Sequence, residues 1–231
     1  MTEGRRAELA GGMESSRHTW REVDAHLSAL FVGTDEALDA ALTAQQAAGL
    51  PAIEVAPVAG KLLHLLARLA GARRVLEIGT LGGYSTIWLA RAVGPGGTVT
   101  TVEAEPGNAA VARASIDAAG VGERVEILVG RGEDVLPTLE GPFDLVFIDA
   151  DKESNTLYLD HAARLGRPGT VVVLDNVVRG GEIIRAETED AMIIGTQNAL
   201  RMLADDPRFD ATALQTVGLK GWDGFALALL V

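Results

Sequence analysis

From Arg74 onward the chain alternates short, almost wholly apolar runs with longer stretches whose apolar positions recur every three or four residues. The runs 75–78, 98–102, 125–129, 143–148 and 170–174 are rich in β-branched residues and read as strands covered on both faces. Helices are expected at 85–93, 106–119, 153–165 and 189–204; Pro106 suits a helix start and Gly120 a stop. This alternation predicts a doubly wound α/β fold, a mostly parallel sheet with right-handed crossovers. The last two runs, 214–217 and 225–231, have no helix between them. Gly218-Leu219-Lys220-Gly221 reads as a hairpin tip, so the sheet should end antiparallel. Before the sheet come helical patterns at 20–31, 35–48 and 58–70. The third is apolar at Val58, Leu62, Leu65, Leu66 and Leu69, and could cap the sheet or carry a dimer contact. The polar, glycine-containing stretch 179–188 is expected to be a loop at the rim.

The chain has 231 residues, room for one domain, expected over 18–231 behind a mobile tail at 1–17. Apolar residues make up 48% and charged residues 23%, which excludes a disordered or fibrous chain. There is no cysteine, which excludes disulfides, thiolate metal sites and a cysteine nucleophile. The formal charge of −12 repels phosphate backbones and disfavours nucleic acid as a general partner. No run reaches the ~20 apolar residues that a membrane helix needs. The first residues lack the apolar core of a signal peptide, so the expected compartment is the cytoplasm.

The most informative stretch runs from Val75-Leu76-Glu77-Ile78 through Gly79-Thr80-Leu81-Gly82-Gly83 to Tyr84-Ser85: a strand, a glycine turn and a helix. Glycines such as Gly79 and Gly83 let the backbone take positive φ and a ligand approach closely. The spacing fails the G-x-G-x-x-G dinucleotide pattern, and the acid Glu77 would repel a pyrophosphate. An acid there suits a ligand with a cationic amino-acid portion and a sulfonium. That favours S-adenosylmethionine over NAD. Glu103, at the end of the second strand, is placed to accept hydrogen bonds from two ribose hydroxyls. Gly132 and Glu133 follow the third strand and could meet an adenine edge.

The fourth and fifth strands end in Asp149 and in Asp175-Asn176. In a parallel sheet both ends open on the edge that carries the glycine turn. The three side chains would converge as hard oxygen donors, a set that suits magnesium; the absence of His and Cys ligands there disfavours zinc. Lys152 lies three residues past Asp149. Like-charge repulsion by a dication favours its neutral amine, which could take a proton from a substrate hydroxyl. Asp151 reads equally well as a helix cap. His18, His26, His64 and His161 are scattered and read as surface or packing residues.

Together these residues resemble the cation-dependent class I O-methyltransferases, the family of catechol and caffeoyl-CoA O-methyltransferases and many small bacterial enzymes. The resemblance is carried by Leu76-Glu77-Ile78-Gly79-Thr80, Gly82-Gly83-Tyr84-Ser85, Phe147-Ile148-Asp149-Ala150-Asp151-Lys152, Leu174-Asp175-Asn176-Val177-Val178 and Gly218-Leu219-Lys220-Gly221-Trp222-Asp223-Gly224, and spans about Trp20 to Val231. It implies a Rossmann-like seven-stranded sheet with a reversed last strand. It implies a divalent metal, usually magnesium, on Asp149, Asp175 and Asn176, with Lys152 as general base. Gly79, Tyr84 and Ser85 would line the methionine end of S-adenosylmethionine, with Glu77, Gly83 and Asp149 also among the cofactor-binding residues. Glu103 would take the ribose, Gly132 and Glu133 the adenine, and Val55 would pack on the cofactor. The implied acceptor is a small catechol-type phenol and the implied assembly a homodimer. An RNA-modifying relative acting on a hydroxylated tRNA base is the alternative, and the −12 charge argues against it. Two segments depart from the family pattern. The chain is apolar at Ala56, Val58 and Ala59, and Arg179-Gly180-Gly181 stands where some eukaryotic members carry aromatic and acidic residues for the acceptor.

Overall fold

A computed structural model describes residues 19–231; the tail expected at 1–17 lies outside the described residues. Seven strands form one sheet in the order β3-β2-β1-β4-β5-β7-β6. They are β1 (Arg74–Ile78), β2 (Thr98–Glu103), β3 (Val125–Val129), β4 (Leu145–Ile148), β5 (Val171–Asp175), β6 (Phe209–Gly218) and β7 (Gly221–Leu230). Strands β1 to β5 pair in parallel, and β7 runs antiparallel to both β5 and β6. The α/β class and the antiparallel finish are as the alternation predicts.

The continuous apolar runs have a direct cause. Side chains alternate between faces, and both faces are covered. Leu76, Ile78, Val146, Ile148, Val172 and Leu174 point to one side, where they pack with Phe143, Leu159 and Leu203. Val75, Leu145, Phe147 and Val173 point to the other and pack with Leu63, Ile87, Trp88 and Ile116. Helices α1 (residues 19–31), α2 (Glu36–Ala47), α3 (Pro57–Leu69), α4 (Tyr84–Val93) and α5 (Pro106–Ala118) precede β3. A short α6 (Gly132–Val135), α7 (Asn155–Leu165) and α8 (Ala191–Asp205) follow. Caps set several boundaries: Asp35 accepts the Leu38 N–H at 3.2 Å ahead of α2, and Asp190 accepts the Met192 N–H at 2.9 Å ahead of α8.

Several boundaries differ from the sequence expectation: β4 starts two residues late, at Leu145, and β7 four residues early, at Gly221, where it pairs with the long β6. Helix α7 starts at Asn155 because Lys152–Ser154 form a tighter 3-10 turn. Strand β6 begins five residues early, at Phe209, because it is an edge strand whose mostly exposed residues leave no apolar run to read. The rim segment Arg179–Ile184 winds as 3-10 turns broken at Gly180 and Gly181. Helix α3 divides its apolar residues between the core and the surface. It buries Gly60, Leu63 and Ala67 and turns Leu62, Leu65 and Leu69 to the surface. Gly60 permits this packing, since a Cβ there would sit 2.5 Å from the Trp88 ring.

The architecture has two consequences for function. The strand order reverses between β1 and β4, and such a switch point opens a crevice at the carboxyl edge. The β6–β7 hairpin outruns the sheet: Asp175 pairs with Phe225, so 221–224 project past the end of β5 over that edge. Asp24 of α1 holds the hairpin tip by accepting the Leu219 N–H at 2.8 Å, and Lys220 reaches Glu54 at 2.7 Å. Among the described residues no helix is long and apolar enough to cross a membrane.

Candidate active site

An open cleft of about 1450 Å³ occupies the carboxyl edge. That exceeds the roughly 300–1,000 Å³ typical of a single small ligand and leaves room for two reactants. Its walls are the loops after β1 to β5, the segment 52–56 and the hairpin tip. Of the predicted residues, Val55, Gly79, Tyr84, Ser85, Glu103, Gly132, Glu133, Asp149, Lys152, Asp175 and Asn176 line it; Glu77 and Gly83 do not.

The glycine turn works by close approach. Gly79 has φ +100°, and a Cβ there would lie 2.1 Å from the Asp149 carbonyl oxygen. The turn after β1 and the end of β4 are thereby pressed together, which brings the two halves of the cleft into register. Gly79→Ala should lower the free energy of unfolding by about 3 kcal/mol or more. A urea midpoint equal to that of the parent would refute this packing account. Gly83, at φ +86°, opens α4 and packs against Ala112 and Ile116 instead of the cleft.

Glu77 is fully buried under the turn. Its carboxyl accepts the hydroxyls of Ser85 at 2.6 Å, Thr101 at 2.7 Å and Thr86. Burial pushes it up to about 7, against the opposing pull of those three donors. Folding takes up a proton here, so this stabilisation is complete below pH 4.5 and is lost as pH rises through about 7. In Glu77→Gln the fall of Tm between pH 5 and 8, measured by calorimetry, should be shallower than in the parent. Asp175 shifts in the same direction, so a residual slope is expected. An unchanged slope would contradict the assignment.

Glu103 is buried at the cleft wall with all four of its acceptor positions in use. One oxygen accepts the N–H groups of Thr80 at 3.2 Å and Leu81 at 2.7 Å; the other accepts Glu105 N–H at 3.0 Å and Asn108 Nδ2 at 3.3 Å. It braces the glycine turn, and a ligand hydroxyl would gain it only by displacing one of the two longer bonds. On the far wall Glu133 pairs with Arg131 at 2.7 Å, and Gly132 gives way to the ring of Tyr158.

The strand-end acids converge around a lysine. Lys152, only 6% exposed, donates to Asp149 Oδ1 at 2.7 Å. Packing around Asp175 and the nearby Asp149 charge push the Asp175 carboxyl up to about 7, with Lys152 pulling the other way. Asn176 holds φ +62°, a left-handed value that few residues other than glycine adopt. Asp223 accounts for it. One of its oxygens accepts the N–H groups of Val178 and Arg179, each at 3.0 Å, and the other accepts Asn176 Nδ2 at 3.4 Å. Two acids and an amide, all hard oxygen donors, one acid raised by the other's charge, make a set that fits a divalent cation. No group of three His, Cys, Asp or Glu side chains suited to a metal occurs among the described residues, so the amide is needed to complete such a set. Nine carboxylates against four cations line the cleft as a whole, which suits a cationic sulfonium ligand. Gln45 Oε1, buried and without a partner in the structure, belongs to a residue of the same wall.

Sequence reasoning did not single out Asp223 or Tyr158. Tyr158 donates to Asp151, and burial followed by that carboxylate raises the phenol. Burial opposes ionisation of Asp151, but the bonds from Ser154 and Tyr158 hold it below the usual carboxylate range. Asp223 lies within the Trp222 motif, but the residues it clamps after β5 lie 44 to 47 positions away and leave no local signal.

The family profile described as O-methyltransferase matches residues 34–229. Catechol O-methyltransferase of Mycobacterium tuberculosis is 58% identical over 210 residues, 90% of this chain and 95% of that protein. Catechol O-methyltransferase of Niastella koreensis is 46% identical, over 91% of this chain and 97% of that protein. The crystal structure of an O-methyltransferase from Bacillus cereus in complex with SAH superposes with a TM-score of 0.91 at 46% identity, covering 93% of this chain and 99% of that one. The chain belongs to the O-methyltransferase family, whose enzymes depend on S-adenosylmethionine.

Proposed function

We propose that the chain methylates one hydroxyl of a small catechol-type phenol, using S-adenosylmethionine and a divalent cation, with magnesium as the first choice. The observation that carries this is the gathering of Asp149, Lys152, Asp175 and Asn176 in the cleft walled by the β1 glycine turn. The names of the two curated relatives support the acceptor class. When bound, the sulfonium supplies an electrophilic methyl and the cation supplies Lewis acidity toward vicinal hydroxyls.

The residues divide the remaining work. Asp149, Asp175 and Asn176 would hold the cation, and Asp223 keeps Asn176 in its left-handed conformation. As the neutral amine, its own extra proton given up to solvent, Lys152 Nζ would take the proton of the acceptor hydroxyl, held in place by Asp149. Glu103 would exchange a backbone or Asn108 bond for the ribose. Gly132 and Glu133 would meet the adenine, while Val55, Gly79, Tyr84, Ser85 and Asp149 would line the methionine end. Glu77 and Gly83 would act from beneath, by shaping the turn. Holding two reactants in line supplies the rest as proximity.

The same reading takes 18–231 as one catalytic domain acting in the cytoplasm. The outward-turned Leu62, Leu65 and Leu69 of α3 support the homodimer. The deciding experiment is a methyl-transfer screen of vicinal diphenols with magnesium, with bulk tRNA as control. Monomethylated catechols are expected. Transfer to tRNA with none to any diphenol would replace this reading with the RNA-modifying one.

A further inference from the structure

The cleft holds four cationic side chains, and three are already matched. Lys152 pairs with Asp149, Arg131 with Glu133 and Lys220 with Glu54, each at 2.7 Å. Arg179 has no carboxylate partner among the described residues. Its guanidinium donates to the Met192 sulfur at 3.6 Å, a weak acceptor for a group with five donors. In a chain carrying 32 acidic residues, a guanidinium left unpaired in a cleft rich in carboxylates offers a seat for an anion.

The backbone anchors the root of that side chain. Arg179 has φ +54°, the second left-handed residue other than glycine within four positions, after Asn176. Asp223 holds both, by accepting the Arg179 N–H and the Asn176 amide. The guanidinium thus starts from a clamped backbone, three residues beyond the last proposed metal donor. Topology assigns it to the acceptor half. The loops after β1, β2 and β3 lie on one side of the switch point, and the loop after β5, with the projecting hairpin, lies on the other.

We propose that Arg179 is the specificity-determining residue of the acceptor site, and that it reads a carboxylate carried by the catechol, so that the preferred acceptors are catechol carboxylates and not neutral or aminated catechols. A planar guanidinium fits a carboxylate through two parallel N–H···O bonds, which a lysine cannot reproduce. The proposal rests on the catechol reading above and narrows it.

The test uses the full chain as parent, Arg179→Gln and Arg179→Lys. With S-adenosylmethionine and magnesium, kcat/KM is measured for catechol, 3,4-dihydroxybenzoate and dopamine. The parent should favour 3,4-dihydroxybenzoate. In Arg179→Gln the ratio of kcat/KM for 3,4-dihydroxybenzoate over catechol should fall about ten- to hundredfold, mainly through KM, and Arg179→Lys should recover part of it. Calorimetry on enzyme loaded with S-adenosylhomocysteine should show the same loss for 3,4-dihydroxybenzoate. The affinity for S-adenosylhomocysteine itself should be unchanged, which also reports an intact fold. A ratio within twofold of the parent overturns the proposal. So does weakened S-adenosylhomocysteine binding in Arg179→Gln, which would assign the guanidinium to the cofactor's own carboxylate. If the parent methylates no catechol of any charge, the catechol reading fails and this one with it; if it methylates all three with an unchanged ratio in the variant, only this one fails.

Discussion

Lys152→Arg should fold like the parent and lose methyl transfer by a factor of roughly 10²–10⁴, the usual contribution of a positioned proton acceptor. Arginine keeps a positive charge beside Asp149, whose carboxylate lies 2.7 Å from the lysine amine. It therefore preserves the ion pair in a site where the lysine is only 6% exposed. A guanidinium stays protonated under any assay condition and cannot accept the hydroxyl proton. Lys152→Ala should lose turnover to a similar degree. It would also leave Asp149 facing Asp175 without a compensating cation, a destabilising change. The pair of variants separates the two roles of the lysine. Thermal unfolding and S-adenosylhomocysteine binding report the scaffold, and single-turnover kinetics reports the chemistry. Parental turnover in the Lys152→Arg variant would remove Lys152 as the base and leave it as the partner of Asp149.

Removal of divalent ions should abolish turnover, and magnesium should restore it. The donor set behind this expectation contains no nitrogen or sulfur ligand, only Asp149, Asp175 and the Asn176 amide. Burial and the neighbouring Asp149 charge raise the Asp175 carboxyl, an unfavourable arrangement that a cation would relieve. Activity is not the only readout. An ion that binds only the folded chain raises its stability by about 2.7 kcal/mol at a hundredfold excess over Kd. Magnesium should therefore raise the Tm of the parent and leave that of Asp175→Asn unmoved. Full turnover in excess chelator, together with a Tm indifferent to magnesium, would dispose of the metal assignment.

Legibility of the fold followed burial. Strands β1, β4 and β5 are enclosed on both faces, and that enclosure is what an unbroken apolar run records. Strand β6 shows the converse: with most of its side chains exposed, its first five residues, Phe209 to Ala213, alternate too weakly to announce a strand. Helix α3 marks a different limit. Its apolar stripe was plain to read, but periodicity does not say which side of a helix faces the core. The outward Leu62, Leu65 and Leu69 became visible only once Gly60 was seated against Trp88.

The same division runs through the site. The residue types and their order along the chain were determined by sequence alone: a glycine turn after β1, an acid ending β2, and acids with a lysine and an amide after β4 and β5. Each is a local motif, set by its own strand end. Tertiary structure decided what those groups meet. It withdrew Glu77 from the cleft into a nest of three hydroxyls, occupied every acceptor position of Glu103, and brought Asp223 back from the reversed β7 to clamp Asn176 and Arg179. Contacts between residues far apart in the chain depend on which strands become neighbours, and no pattern within a short window carries that information.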